Sequence, residues 1–430
     1  MSLNAQNLFK RILQGYLQPG AVRVLFLGFS SSIPYIMILG TLSVWLTELG
    51  FSKTVVGYFS IVSITYPFKF LFAPYVDRWR IPYFTARMGH RRSWILCAQA
   101  CVVFGLIVMG CVGPEKHIWA FTVITIFVGL SSAIYDISTE AYRIEIMDRS
   151  QISYAASMSG FGYRMGMIAS GAGALYLSAF FDSWAVAYFV LALVVAMGMI
   201  TILFCKEPEV AKKDMLLRNT PPSPLAFLSS ARHFLTLPHA WAFFIFLLIH
   251  KISASMMMTM TTPFVMDIGF SKMEIANIVK LMGVSMMILG VLSAGFLTNR
   301  FGSFLTLRFC IIASMGVSGL FVLMSVIGHN APLFAICMAV EHFVSGMFSA
   351  SAIAFMCSYC RMGAAGSDYA FISSFGSLCR VAFSFISGLL ADYLGWTGFF
   401  TMILMTTLPG LYIINRYKKT FDPIQGQKSS

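Results

Sequence analysis

Apolar residues occur along the chain in twelve stretches, and polar segments separate each stretch from the next. A helix needs about 20 consecutive apolar residues to cross the hydrocarbon core of a bilayer. Backbone groups find no water there, so stretches of this length predict helices that satisfy their own hydrogen bonds. The pattern therefore predicts an all-α membrane protein. The predicted spans are 21–46, 54–76, 92–113, 117–146, 153–180, 185–204, 238–265, 273–298, 303–328, 332–359, 367–392 and 396–416.

The positions of the basic residues predict the orientation of the chain. Lys and Arg are concentrated in the loops after the second, sixth and eighth predicted helices and in both tails, whereas the opposite side holds little beyond Lys53, Lys116 and Lys272. Because cytoplasmic loops carry an excess of Lys and Arg, both termini are predicted to face the cytoplasm. The basic residues on that side include Lys10, Arg11, Arg78, Arg80, Arg87, Arg91, Arg92, Lys206, Lys212, Lys213, Arg218, Arg300, Arg308, Arg416, Lys418 and Lys419.

The composition excludes a set of soluble domains. The 430-residue chain is 58% hydrophobic and only 11% charged, whereas soluble domains carry about 25% charged residues. The net charge of +13 comes from bases between the apolar stretches, which form no surface stripe. We interpret it as a topology signal that also attracts anionic lipid, and we expect no nucleic-acid partner. Cys357 and Cys360 have metal-pair spacing, but no second pair or histidine follows, so we expect no metal or other cofactor.

A long polar stretch, residues 205–237, divides the chain into two halves with six predicted helices each, 21–204 and 238–416, flanked by tails at 1–20 and 417–430. Polar residues recur at corresponding places in the halves, which indicates two parallel repeats. Carriers built from such repeats bind their substrate near the bilayer midplane at the repeat interface. The pattern therefore favours a carrier, which we expect to be a monomer. The corresponding residues are Asp77-Arg78 and Asn299-Arg300, Arg164 and Arg380, and Asp136 and Glu341.

Three charged residues in the fourth predicted helix form the first candidate site. Asp136, Glu140 and Arg143 are spaced at i, i+4 and i+7, which places them on one helix face. Glu140 and Arg143 can pair directly, which leaves Asp136 deeper and less compensated. An apolar environment favours the protonated form of a carboxylic acid, which is what a proton carrier needs. The alternative is that Asp136 pairs with Arg164 and only holds the first half together.

The second predicted helix contains a buried base. Lys69 follows Tyr66 by three residues, and Pro67 between them predicts a kink. The lysine either faces a cavity, where Tyr66 and Lys69 contact the substrate, or extends along the lipid to the membrane surface.

The remaining embedded charges extend the candidate site to other helices. Arg164 lies among glycines in the fifth helix and keeps its proton, so it requires an anionic partner, either a side chain or the substrate. Arg380 is its counterpart in the eleventh helix. Glu341, beside His342 in the tenth helix, is the second candidate proton site, and the alternative for it is a helix-end cap.

Bases outnumber acids inside the predicted spans. If the embedded charge is near neutral overall, an anionic substrate supplies the missing negative charge. Muropeptides with peptide carboxylates fit this class, and so do acetyl-CoA, other nucleotides and carboxylate siderophores. The embedded bases are Lys69, Arg164, Lys251, Lys280 and Arg380, and the embedded acids are Asp136, Glu140 and Glu341.

Several motifs match one family of carriers. They are Gly28-Phe-Ser-Ser-Ser-Ile-Pro34, Gly40-Thr41-Leu42, Phe68-Lys69-Phe-Leu-Phe-Ala-Pro74, the loop Asp77-Arg78 to Gly89-His90-Arg91-Arg92, Gly162-Tyr163-Arg164-Met-Gly166-Met167, and Glu341 with Ser345-Gly346-Met347. From about residue 20 to 415 the chain resembles the AmpG-type muropeptide permeases of the major facilitator superfamily and, more distantly, the acetyl-CoA transporters. The resemblance implies the major facilitator fold, with twelve helices in two six-helix pseudo-repeats. It also implies that Asp77 and Arg78 act in gating, with Arg300 at the corresponding place.

Two places depart from the pattern of this family. The family reads Gln-Asp and Asp-Ala-Trp in the fourth helix, whereas this chain has Tyr135-Asp136 and Glu140-Ala141-Tyr142 and keeps both acids. After His250-Lys251 in the seventh helix, Ala254 stands where the family tends to carry an acid. This loss leaves open whether the substrate and the coupling of the best-known members transfer.

Together these features predict a proton-coupled importer of an anionic metabolite, working by alternating access in a bacterial cytoplasmic membrane. The resemblance implies anhydro-muropeptide from cell-wall recycling, and another anion, such as acetyl-CoA or a siderophore, is the alternative. A membrane-embedded enzyme would need an acid or histidine cluster at a membrane face, and a receptor would not need duplicated halves. The expected partners are a small anion, protons and lipid. The predicted residues are Tyr66, Lys69, Arg164 and Arg380 for substrate, Asp136, Glu140 and Glu341 for protons, and Asp77, Arg78 and Arg300 for gating.

Overall fold

A computed structural model of the chain describes residues 10, 12–115, 117–148, 151–209, 225–279 and 283–417. Within these ranges the regular structure is helical, without β-strands, which confirms the predicted class. We number the helices α1 Pro19–Glu48, α2 Lys53–Phe59, α3 Ala73–Arg78, α4 Phe84–Met88, α5 His90–Val112, α6 Ile118–Ile146, α7 Ile152–Phe181, α8 Trp184–Leu203, α9 Phe227–Leu235, α10 Ala240–Asp267, α11 Lys272–Ile278, α12 Val284–Ile327, α13 Ala331–Tyr359 and α14 Ala365–Arg416.

Eight helices in the described part of the chain are long and apolar enough to cross a membrane, namely α1, α5, α6, α8, α10, α12, α13 and α14. Two of them contain a glycine with a non-helical backbone, Gly302 in α12 (φ 85°) and Gly395 in α14 (φ 63°), so each consists of two helical segments. Such a positive φ costs glycine little. Helix α7 has 30 residues, as many as α1, but it is not one of these eight helices. The count of twelve spans and their orientation stay predictions.

The predicted span 54–76 is not a continuous helix. Helix α2 passes into a 3₁₀ turn at Ser60–Thr65, and a second 3₁₀ turn covers Lys69–Leu71 before α3 begins. Pro67 and Pro74 lack a backbone N–H and clash with the preceding helical turn, which explains where the helix breaks. The break places Lys69 at the start of the second 3₁₀ turn, where sequence analysis predicted only a kink.

The chain forms two compact units. The first contains the described residues up to Ser230 and also the segment Tyr359–Ser374, and the second contains Ala231–Ser358 and the described residues from Phe375 onward. The beginning of α14 therefore packs within the first unit, where Ala370 lies in an apolar cluster with Val76 and Ile137. The domain boundaries taken from the sequence stay predictions.

Glycines let helices approach backbone to backbone in each unit. In the first unit, a Cβ atom at Gly162 of α7 would overlap the carbonyl of Leu25 in α1. In the second unit, a Cβ at Gly290 of α12 would overlap the carbonyl of Phe343 in α13. Membrane helices associate through such small residues because lipid supplies no hydrophobic drive between them. The glycines beside Arg164 thus fix α7 firmly against α1.

Candidate functional site

Lys69 and Glu140 form an ion pair in the first unit. The lysine Nζ donates hydrogen bonds to both carboxylate oxygens of Glu140, at 2.9 and 3.0 Å. Only 8% of the lysine side chain is exposed, so it does not extend to the membrane surface. The structure thus gives Glu140 of α6 a partner from the broken helix, whereas helix spacing predicted Arg143. The Arg143 guanidinium donates a hydrogen bond of 3.1 Å to the hydroxyl of Ser159.

Asp136 lies one helical turn before Glu140 and is half-buried. It is close enough to Lys69, Glu140 and Arg143 for electrostatic interaction. In the part of the chain that the structure describes, its carboxylate makes no hydrogen bond or ion pair, and the pair with Arg164 is not formed. Asp136 is therefore the acid of this cluster whose carboxylate is least committed to a structural contact.

Tyr66 and Tyr369 border the same cluster. The Tyr66 hydroxyl donates a hydrogen bond of 2.9 Å to Ser132 on α6. The ring of Tyr369, from the start of α14, faces two cations, with its centroid 6.0 Å from the Lys69 Nζ and 5.1 Å from the Arg143 Cζ. These distances are in the range of cation–π attraction.

Arg164 is half-buried in α7 and has no carboxylate partner within the described residues. Its Nη1 lies 3.7 Å from the sulfur of Met167, a weak acceptor on the same helix. A guanidinium in this position stays charged, and its role in binding an anionic substrate stays a prediction.

The second unit contains a pair of bases. Lys251 on α10 and Arg380 on α14 interact electrostatically, and neither is in an ion pair with a described residue. Arg380 is exposed on the unit, whereas Lys251 packs on helix α14, since a Cβ at Gly376 would lie 2.9 Å from its Cε. Lys280, another predicted base, lies outside the described residues.

Glu341 is paired with its neighbour on α13. Its Oε2 lies 2.8 Å from the Nδ1 of His342, which is also 2.9 Å from the carbonyl oxygen of Met338. Helix α13 runs from Ala331 to Tyr359, so Glu341 is in its interior and does not cap a helix end.

Asp77 is at the centre of a second charged network in the first unit. Arg91 on α5 donates to Asp77 at 2.7 Å and makes two hydrogen bonds to Glu145 on α6, at 2.9 and 2.6 Å. All three side chains are buried. The network ties the end of α3 to α5 and α6, and the role of Asp77 in gating stays a prediction.

Asp77 also caps the first turn of α14. The backbone N–H and the hydroxyl of Ser367 donate to its Oδ2, at 2.7 and 2.5 Å. The residue before α14, Ala364, has no side chain that can accept such a bond, and a carboxylate at a helix N-terminus is stabilised by the helix dipole. A Cβ at Gly366 would lie 2.7 Å from the Asp77 Oδ1, so this glycine admits the carboxylate.

The other two predicted gating residues have weaker contacts. Arg78 makes no hydrogen bond or ion pair within the described ranges, although it adjoins Asp77. Arg300 is exposed, and its guanidinium lies over the rings of Phe296 (5.9 Å) and Phe301 (5.4 Å). Their roles in gating stay predictions.

Glu207, just after α8, caps α5 and holds Arg91 in place. Its carboxylate accepts the backbone N–H of Arg91 (2.8 Å) and of Arg92 (3.2 Å). Burial raises the pKa of Glu207, and the two N–H donors oppose this effect by stabilising the charged form. Gly89, with a φ of 94°, leaves room for the carboxylate.

Sequence reasoning missed several members of these networks. Arg91 was interpreted only as a topology signal and part of a motif, and Glu145 was not singled out, although an acid near a helix end opposite a basic loop is a usable signal. Ser367 and Tyr369 carried no signal, because their partners lie far away along the chain, 290 residues in the case of Ser367 and Asp77.

Replacing Gly366 tests the contact between Asp77 and α14. Gly366→Ala should displace the carboxylate and raise the labelling rate of a cysteine at the buried Ala73 by about tenfold, as expected for loss of a charge-assisted hydrogen bond. Gly388→Ala, on the same helix with open space around its Cβ, is the matched control and should leave labelling unchanged. Equal labelling in the two variants would show that Gly366 has no role in this contact.

Arg91 and Glu145 form a buried ion pair between α5 and α6, two helices of membrane-spanning length, and such embedded charges are typical of a multi-pass membrane transporter. The sequence model of the Major Facilitator Superfamily matches residues 24–383, and the chain belongs to this family. This confirms the family and the fold class predicted from the sequence.

Relatives and solved structures cover most of the chain. It is 26% identical over 419 residues to the anhydromuropeptide permease of Escherichia coli K12, covering 96% of this chain and 82% of that protein. It is 29% identical over 395 residues to a Rickettsia felis protein named transporter AmpG 4, covering 91% and 94%. The outward conformation of FucP aligns with a TM-score of 0.65 at 13% identity, covering 94% of this chain and 99% of FucP. The human organic anion transporter MFSD10 aligns with a TM-score of 0.61 at 15% identity, covering 94% and 99%. At these identities the two structures show the fold alone.

Proposed function

We propose that this transporter imports an anionic metabolite together with a proton, by alternating access across a bacterial cytoplasmic membrane, and that the metabolite is an anhydro-muropeptide. The observation that carries the proposal is Arg164, a half-buried guanidinium without a carboxylate partner among the described residues. An uncompensated charge within a membrane span is costly unless a ligand or water balances it. An anionic substrate supplies the missing charge and forms bidentate hydrogen bonds with the planar guanidinium.

The bases of the second unit support the same substrate class. Lys251 and Arg380 repel each other electrostatically and have no acid partner within the described part of the unit. Three of its acids have other contacts: Glu341 binds His342, Glu274 binds His329, and Asp267 accepts from Trp396. A fourth described acid, Asp392, is exposed. These bases favour an anionic substrate independently of Arg164.

A muropeptide fits this requirement because its peptide carries carboxylates. The likeness to the E. coli anhydromuropeptide permease over nearly the whole chain supports this choice among anions. The alternative, another anion such as acetyl-CoA, is favoured by Ala254, which replaces an acid that the muropeptide branch tends to carry.

The charge of the Asp136 cluster supports proton coupling. Two bases, Lys69 and Arg143, balance two acids, Asp136 and Glu140, when both acids are ionised. Protonation of Asp136 leaves the cluster with one net positive charge, which favours an anion nearby. By thermodynamic reciprocity a bound anion then favours proton binding, so the two are carried together.

Counterflow in proteoliposomes tests the substrate. Liposomes loaded with unlabelled anhydro-muropeptide should take up external labelled anhydro-muropeptide, and liposomes loaded with acetyl-CoA or with the neutral disaccharide N,N′-diacetylchitobiose should not. The neutral disaccharide is the matched control because it has two N-acetylated sugars and no carboxylate for the bases to bind. Counterflow driven by acetyl-CoA and not by muropeptide would favour the alternative anion and contradict the proposed substrate.

A further inference from the structure

Three consecutive residues at the start of α14 contact three different parts of the first unit. Ser367 donates to Asp77, which belongs to the charged network of Asp77, Arg91 and Glu145. Asp368 is fully buried and accepts two hydrogen bonds from the Arg361 guanidinium, at 2.9 and 2.7 Å. Tyr369 faces the cations of the Asp136 cluster. One helical turn therefore contacts both charged networks.

The Tyr369 ring is well placed for strong cation–π attraction. It is 4% exposed, so water competes little with the ring for the cations. Cation–π attraction is strongest where both groups are desolvated. The ring lies against Lys69 and Arg143, the two bases whose charge balances Asp136 and Glu140.

Ser367 and Tyr369 cannot move independently. They are two residues apart among the first five residues of a helix whose N-terminus is fixed by Asp77. Ala370, next in the chain, is fully buried among Ala73, Val76 and Ile137, so the turn moves as a body or stays in place. A change in the strength of the Tyr369 contact is thus transmitted to the Ser367–Asp77 contact.

We propose that Tyr369 is a positioning residue of the transport cycle, whose ring binds Lys69 and Arg143 and so couples the charge of the Asp136 cluster to the gating contact at Asp77. A substrate anion that engages these cations weakens their attraction to the ring, and the start of α14 then separates from Asp77. A proton on Asp136 leaves the cations less compensated and strengthens the attraction, so the start of α14 stays on Asp77. The inference rests on the proposed function in that it takes transport to pass through this cluster.

Graded fluorination of the ring tests this role. Each fluorine weakens the negative face of an aromatic ring and changes its size little, so a cation–π contact weakens stepwise. The parent protein for this test has its nine native cysteines replaced and carries Ala73→Cys as the labelling reporter. In this protein, residue 369 is replaced by phenylalanine and by its mono-, di- and trifluorinated derivatives. Tyr369→Phe should label slowly, like the parent protein, and the labelling rate should rise about fivefold across the series.

Two controls separate the ring's charge contact from its bulk. The same series at Phe121 on α6, whose ring contacts the rings of Trp45 and Phe59, should show no gradation. Lys69→Met removes one of the two cations and should make the gradient at residue 369 shallower. A labelling rate that is the same for every number of fluorines at residue 369 would overturn the proposal. A high rate in Tyr369→Leu, without a gradation in the fluorinated series, would show that the ring acts only by filling space. Labelling needs no substrate, so this result is separate from the identity of the transported anion.

Discussion

Asp136→Asn should abolish accumulation of the substrate against its gradient while downhill exchange survives. Asparagine keeps the size and polarity of the side chain, but it cannot bind and release a proton, so the carrier loses the step that couples the two gradients. The expected loss is of the whole concentrative component of uptake. The measurement is the ratio of internal to external labelled substrate in proteoliposomes with an imposed inward proton gradient.

The controls for this prediction are two other acids. Glu115→Gln, in an exposed loop, should accumulate substrate as the parent protein does. Glu341→Gln tests the second candidate proton site, in which the His342 contact would remain as a neutral hydrogen bond. Normal accumulation by both Asp136→Asn and Glu341→Gln, together with uptake that ignores a protonophore, would show that neither acid couples transport.

Arg164→Lys should weaken substrate binding by about tenfold or more, which corresponds to losing one hydrogen bond to a charged group. The guanidinium presents a planar fork of donors that matches a carboxylate, whereas an ammonium is a point charge on a flexible stem. Lysine keeps the positive charge, so the variant isolates the geometry of the contact. The measurement is the affinity of the purified protein for anhydro-muropeptide, by calorimetry or by the substrate dependence of counterflow.

The matched control for this variant is Arg416→Lys, at the exposed end of α14. It should bind substrate normally. Arg164→Lys must also keep the melting temperature of the parent protein in detergent, because α7 packs closely on α1 around Gly162 and Gly166. Unchanged affinity in a folded Arg164→Lys protein would reduce Arg164 to a part of that packing.

Hydropathy predicted most of the helices because membrane-spanning segments must satisfy their backbone internally. The predicted spans 92–113, 117–146 and 332–359 match helices α5, α6 and α13 within two residues. The prediction of a single helix over 54–76 was wrong, since hydropathy does not distinguish a helix from apolar irregular backbone. Pro67 and Pro74 were the available signal. Two prolines so close together predict an interrupted helix, whereas only a kink was inferred.

The partners of the charged residues could be predicted only in part. Helix spacing placed Asp136, Glu140 and Arg143 on one face of α6, but it could not show that Lys69 from the broken helix binds Glu140. The contact of Tyr369 with this cluster depends on how a distant segment packs within the first unit. No local pattern encodes such a contact. Charge balance within the spans predicts that an embedded charge needs a partner, because a lone charge is costly wherever it lies. It does not say which residue the partner is.

The most direct test of proton-coupled import is the proton flux that accompanies the substrate. Proteoliposomes containing a trapped pH-sensitive dye, with equal pH on both sides and a protonophore-free membrane, receive anhydro-muropeptide outside. Coupled import predicts that the interior acidifies as the substrate enters, and that Asp136→Asn removes the acidification while exchange of substrate persists. Entry of labelled muropeptide into the parent liposomes without any internal acidification would contradict proton coupling.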